Sequence, residues 1–204
     1  MERSLIAEYQ LKHRISRYGT TGIKVLPHVV THALALRPSS LIDYGCGQSM
    51  LAPVLADAIG ATSVLRYDPA IPFLSRLPEQ RFELLTCIDV LEHVPDEEID
   101  AVASEMASCC VNAILVIDTA PAKATLSDGR NAHVSIHDET WWLARLTPAF
   151  PSLRPFRIRR RNRVAFKTFD EDLRPMRATC VRGWYWGVVK ARRLAAELGL
   201  RSPV

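Results

Sequence analysis

The chain has 204 residues, 48% of them hydrophobic and 24% charged, which is enough for one hydrophobic core and unlike a disordered or fibrous chain. No apolar run approaches the roughly 18 residues of a membrane span, and the start MERSLIAEYQLKHRISRYG lacks a signal-peptide core, which predicts a single-domain cytoplasmic protein. The net charge of +4 hides a division: residues 1–150 carry 12 Lys+Arg against 18 Asp+Glu, whereas residues 151–204 carry 14 against 4, so an anionic partner is expected at the last quarter.

Residues 4–18 mix apolar and basic positions at helical spacing, and Gly19-Thr20-Thr21-Gly22 reads as a break. Val25, Leu26, Val29, Val30, Ala33 and Leu34 then mark a second helix, closed by Arg37-Pro38-Ser39-Ser40. The histidines of this region, His13, His28 and His32, read as surface or interface groups. Residues 1–38 are expected to form a helical lid.

Residues 40–44 (SLIDY) form a short strand that runs into the turn Gly45-Cys46-Gly47, and Met50, Leu51, Val54, Leu55, Ala58 and Ile59 mark the helix after it. A second strand, 63–67 (SVLRY), stops at Asp68-Pro69. A third apolar run, 82–90 (FELLTCIDV), stops before Leu91-Glu92-His93. Asp96 is expected to cap the next helix, followed by a buried strand at 113–117 (AILVI). Alternating strands and helices predict an α/β sandwich of the doubly wound, Rossmann-like kind, with a mostly parallel sheet. Residues 39–120 would form its ligand-binding core.

Beyond it, Asp138 can cap a helix holding Trp141, Trp142, Leu143 and Leu146. Adjacent tryptophans point about 100° apart on a helix, so one belongs to the core. Phe156, Ile158, Val164 and Phe166 fit an antiparallel C-terminal strand pair, and residues 184–198 form a last, basic helix. The five cysteines form neither a CxxC pair nor a zinc-ligand pattern, so neither a metal site nor a disulfide framework is indicated, and the adjacent Cys109 and Cys110 are expected to serve packing.

The glycines of Asp43-Tyr44-Gly45-Cys46-Gly47 let the backbone turn tightly and approach a ligand at the carboxyl end of a strand. Asp68 lies 21 residues after Gly47, where a carboxylate would accept hydrogen bonds from ribose hydroxyls. Together DYGCGQS, the acid of YDP and CIDVLEHV resemble the class I S-adenosylmethionine-dependent methyltransferase family over residues 40–120. The resemblance implies S-adenosylmethionine as cofactor, bound by Asp43, Gly45, Cys46, Gly47, Asp68 and Pro69. It also places Asp89, Val90 and His93 beside the adenine and methionine portions. A dinucleotide enzyme is the competitor, but Met50 stands where its fingerprint has a third glycine. Only 13 residues separate Asp68 from Phe82, too few for the helix and strand that usually intervene, so the sheet is expected to be one strand short.

Residues 121–204 would supply the acceptor side. His133 in the loop after AILVI is the candidate base, because imidazole titrates near neutral pH. His137 is expected behind it, with Asp118 as an orienter or alternative base. These features predict methyl transfer to an oxygen or nitrogen of a small-molecule or glycan-type acceptor. Neither the Asp/Asn-Pro-Pro-aromatic motif nor the Pro-Cys loop of DNA base methyltransferases is present. The run Arg154, Arg157, Arg159, Arg160, Arg161 and Arg163 leaves open an RNA- or DNA-modifying enzyme, since clustered arginines contact phosphates. It also fits the solvated side of an edge strand. A non-catalytic partner subunit with the same fold is the remaining alternative.

Overall fold

A computed structural model describes residues 5–15 and 19–198. Residue 4 and residues 16–18 of the first expected helix lie outside the described residues. Six strands form one sheet in the order β2-β1-β3-β4-β6-β5, comprising β1 (Ser40–Tyr44), β2 (Ser63–Tyr67), β3 (Phe82–Ile88), β4 (Cys110–Asp118), β5 (Arg154–Pro155) and β6 (Arg163–Lys167). The first four run parallel, and β6 and β5 turn antiparallel at one edge. This is the expected Rossmann-like sandwich. The anticipated missing strand is also absent, because residues 69–81 form only a single helical turn, Pro72–Leu74, before β3.

Two apolar layers enclose the sheet. Helices α2 (Leu26–Leu36), α3 (Leu51–Ile59) and α6 (Pro175–Glu197) pack with Leu41, Leu84, Ile114 and Val116. On the other face α4 (Ile99–Ser108) and α5 (Glu139–Leu146) pack with Ile42, Leu85 and Leu115. Strand alternation assigns successive residues to opposite layers, and residues 113–117 are buried because both faces of β4 are covered. Trp142 is wholly buried and supplies the core tryptophan. Cys109 and Cys110 are buried free thiols, in keeping with packing roles.

Several local expectations need correction. Asp96 does not cap α4; that helix starts at Ile99, with Glu98 at the cap position, and Asp96 instead receives His137. Asp138 does cap α5, accepting from the Trp141 amide. Helix α6 begins at Pro175 rather than 184, and proline at its first position suits a helix start. Strand β5 ends before Phe156 and Ile158, whose side chains nonetheless reach the α2–α6 layer. His28 and His32 lie there too, His28 edge-on to Trp186 and His32 against Phe156 and Asp172. Burial lowers the His28 pKa to about 4, as a packed neutral imidazole requires.

No helix among the described residues is long and apolar enough to cross a membrane. Helix α1 (Leu5–Ile15) belongs to neither layer. It is tied to the loop between β4 and α5: Ser127 donates its amide and hydroxyl to Glu8 at 3.0 and 2.8 Å, Tyr9 donates to the Ala132 carbonyl at 2.7 Å, and Lys12 donates to the Thr125 carbonyl at 2.7 Å.

Candidate functional site

Strand order 2-1-3 makes β1 the point where the chain winds in opposite directions, so a crevice opens beyond the carboxyl ends of β1 and β3. The turn after β1 fills its floor. Gly45 (φ +71°) and Gly47 (φ +50°) take the left-handed backbone that side chains disfavour. A Cβ at Gly45 would lie 2.5 Å from Val90, and one at Gly47 would lie 2.7 Å from the Gly19 carbonyl oxygen. Each glycine is therefore required twice, by its dihedral and by a neighbour.

Asp68, only 6% exposed, braces this turn from the end of β2. Its carboxylate accepts from the Gly47 amide at 2.8 Å and from the Ala70 amide at 2.9 Å. Arg66 donates to the Gly47 carbonyl at 2.9 Å, and half-buried Pro69 follows Asp68. Asp43 is buried and accepts from the Thr86 hydroxyl at 2.8 Å; burial raises its pKa to about 7. Cys46 is buried too, its thiol bonded to the Gly47 carbonyl and its pKa raised to about 12 by burial. It is an inert thiol.

Two cavities flank the turn. One is lined by Thr21, Asp43, Gly45, Cys46, Ile88 and Asp89. The other, an open cavity of about 360 Å³, is lined by Gly47, Gln48, Arg66 and the turn Ile71–Leu74, within the size range of small-ligand pockets. Gly19 rests against Gly47 between them, and Gln48 donates to the His13 carbonyl at 3.1 Å.

Asp89 (φ +55°) follows β3 and is locked by a bidentate bond from Arg163, at 2.9 and 3.0 Å, and by the Thr21 hydroxyl at 3.1 Å. Arg163 also pairs with Asp118 at 3.1 Å. The arginine run is thus not one surface patch. Arg163 is 15% exposed inside the site, Arg160 donates to the Lys24 carbonyl, and Arg154 pairs with Asp170. Arg157, Arg159 and Arg161 remain exposed.

The acceptor-side expectations resolve unevenly. Asn131 pins the loop by bonding both polar groups of Ala122 and the His133 amide at 2.9 Å. The amides of Val134 and Ser135 then bond the Glu92 carbonyl at 2.8 and 3.1 Å. These bonds bring His133 to the turn Leu91–His93, its ring edge-on to His93 with centroids 4.8 Å apart. Its Nδ1 bonds the Ala120 carbonyl at 2.6 Å. The Nδ1 of His93 bonds the Ala132 carbonyl at 2.8 Å and the Tyr9 hydroxyl at 3.0 Å. Burial lowers the His93 pKa to about 4, leaving a neutral imidazole. His137 is not behind His133; it pairs with Asp96 at 2.9 Å and stacks on Trp141 with centroids 3.6 Å apart. Asp118 bonds Arg163 and the Ala120 amide, so it meets His133 only through the backbone of Ala120.

Three features of the candidate site escaped the sequence reading. Glu92 is wholly buried, and burial, with Asp89 second, pushes its carboxyl pKa well up. Arg163 was submerged in the arginine run. The turn Ile71–Leu74, with Phe73 85% exposed, replaces the missing strand beside Asp68. Only the shortness of the 69–81 segment hinted at the last.

A family model described as a methyltransferase domain matches residues 9–170. Among solved structures, the DhpI-SAM-HEP complex is similar with a TM-score of 0.57 and 16% identity, over 82% of this chain and 99% of that one. The magnesium protoporphyrin IX methyltransferase ChlM of Synechocystis PCC 6803, with bound SAH, gives 0.50 and 21%, over 71% and 81%. The methyltransferase domain of bacterial CtHen1-CN gives 0.52 and 17%, over 72% and 97%. At these identities the likeness is one of fold. No curated protein sequence matches the chain.

Proposed function

With residues 9–170 matching its model, the chain belongs to the methyltransferase domain family, and we propose that it transfers the methyl group of S-adenosylmethionine to an oxygen or nitrogen of a small, anionic acceptor. The observation that carries this reading is the meeting of Gly45, Gly47 and the buried Asp68 carboxylate at the switch point of the sheet, with a cavity on either side.

The residues fit the donor. Asp68 has lone pairs left beyond its two amide bonds to receive ribose hydroxyls. Ile71, Pro72 and Phe73 offer an apolar wall for an adenine, and Asp89 with the glycine turn faces the amino-acid end. Bound there, S-adenosylmethionine supplies a methyl group already activated on a sulfonium. What remains for the protein is alignment of the acceptor lone pair. Glu92, His93 and His133 form the polar pole for that task, and His133 is the member on which turnover depends. Arg157, Arg159 and Arg161 suit an anionic group on the acceptor better than a nucleic-acid track, because the other three arginines are engaged within the chain.

Calorimetric titration of S-adenosylmethionine and its demethylated product, followed by a screen of phosphorylated and carboxylated acceptors, tests the reading. His133→Ala is expected to keep donor affinity and lose about a hundredfold or more in turnover. A wild-type chain that binds neither form of the donor would bring the non-catalytic reading forward.

The first helix has a defined part in this scheme. Tyr9 bonds and packs on His93, and Gly19 rests against Gly47, so residues ahead of β1 meet both sides of the site. Donor binding is expected to change amide exchange across residues 5–15 and 19–22, because Gly19 must lift for a ligand to span both cavities. Unchanged exchange there on saturation would dismiss the lid.

A further inference from the structure

We propose that Glu92, His93 and His133 form a site for a divalent transition-metal cation on the acceptor side of the fold. One ligand atom from each residue lies within 4.8 Å of the others. Both histidines commit Nδ1 to a backbone carbonyl, Ala132 for His93 and Ala120 for His133. That bond requires the hydrogen on Nδ1 and leaves the lone pair on Nε2. A histidine whose distal nitrogen is anchored this way is oriented as a metal ligand is.

Glu92 supplies the independent observation. Its side chain is 0% exposed, and neither carboxylate oxygen makes a hydrogen bond of ordinary geometry among the described residues; burial, with Asp89 second, pushes its pKa well up, opposed only in part by the nearby amides of Glu92 and Asp118. His133 Nε2 stands 4.0 Å from Glu92 Oε1, too far for a hydrogen bond, and in this tautomer it has no hydrogen to give. A buried carboxylate and a bare imidazole nitrogen therefore face each other without a positive partner. A polar group left so in a protein interior is costly.

Charge points the same way. Asp89 and Asp118, the carboxylates nearest Glu92, are bound directly by Arg163 and faced from farther off by Arg160. Those two guanidiniums match two of the carboxylates, so an ionised Glu92 carries the one negative charge left unmatched, which a cation at this site would offset. Two imidazoles and a carboxylate suit manganese through zinc better than magnesium or calcium, which prefer all-oxygen shells. Bonds of about 2.0–2.2 Å separate ligand atoms by about 3–3.5 Å, so atoms now up to 4.8 Å apart would close by about 1–2 Å. The open positions would take water or an acceptor oxygen, and only this last assignment rests on the methyltransferase reading.

The test uses the full chain stripped of metal and dialysed against Co²⁺, with metal counted by mass spectrometry and ligation read from visible absorption. One Co²⁺ per chain is expected, with affinity at least tenfold lower in Glu92→Gln and in His133→Gln and unchanged in His32→Gln. Circular dichroism establishes folding; should Glu92→Gln not fold, His93→Gln and His133→Gln carry the comparison. Substoichiometric Co²⁺, or equal affinity in the ligand variants and wild type, overturns the site and leaves a proton on Glu92 as the occupant. S-adenosylmethionine titrated into the same samples separates the two readings. Donor binding without Co²⁺ overturns the cation site alone, and Co²⁺ binding without donor upholds the site while overturning the donor assignment.

Discussion

Asp68→Ala is expected to weaken S-adenosylmethionine binding about a hundredfold or more. In our reading the carboxylate receives the ribose hydroxyls, and hydrogen bonds to a charged group contribute about 1.5–3 kcal/mol each. Losing two amounts to about 3–6 kcal/mol, and each 1.4 kcal/mol is about tenfold in affinity. A second effect adds to the first. The same carboxylate holds the Gly47 amide at 2.8 Å and the Ala70 amide at 2.9 Å, so alanine also loosens the turn on which the donor lies. Asp68→Asn keeps the shape and one acceptor oxygen, and it should fall between wild type and alanine. Calorimetry reads all three, and an alanine variant that binds donor like wild type would remove Asp68 from the site.

The second large effect concerns stability. Arg163→Leu is expected to destabilise the fold by about 3–5 kcal/mol, the usual cost of stranding a buried charge. The guanidinium binds Asp89 at 2.9 and 3.0 Å and Asp118 at 3.1 Å, with the three side chains 15%, 10% and 15% exposed. Leucine would leave two carboxylates facing each other in a crevice shielded from water. Adding Asp118→Asn to Arg163→Leu should recover part of the loss by removing one stranded charge. Arg159→Leu, four positions earlier and exposed, should change stability by less than about 0.5 kcal/mol. Urea unfolding measures each variant. A loss under about 1 kcal/mol for Arg163→Leu would mean that water reaches the pair and screens it.

The contrast between Arg159 and Arg163 shows where sequence reasoning stops. Both belong to one basic run, and nothing in composition distinguishes them. Asn162, at φ +55°, turns the chain into β6, and antiparallel pairing sets Arg163 opposite Asp118. Register, a long-range property, turned one arginine of six into the partner of two site carboxylates. The pairing of His137 with Asp96 follows the same logic, since the capping role expected of Asp96 was a local inference and a contact 41 residues away outweighed it.

Much of the donor side was legible because its signals are local. A left-handed turn after a strand needs glycine wherever it occurs, and Gly45 and Gly47 declare it in the sequence. Strands buried on both faces read as near-continuous apolar runs, so β3 and β4 were visible without a partner in sight. The short 69–81 segment announced a missing strand because chain length limits a crossover.

Glu92 had no such signal. It lies in a segment whose resemblance was recognised, yet its burial, its lack of well-formed hydrogen bonds and its approach to His133 depend on a loop pinned by Asn131 some 40 residues later. By itself the sequence determined the strand–turn–helix order, the glycine turn and the acid that braces it, because backbone sterics and hydrophobic periodicity act between near neighbours. Only the tertiary structure decided which histidine meets which carboxylate and which arginine is buried, because charge and lone-pair contacts are set by distances that folding alone makes short.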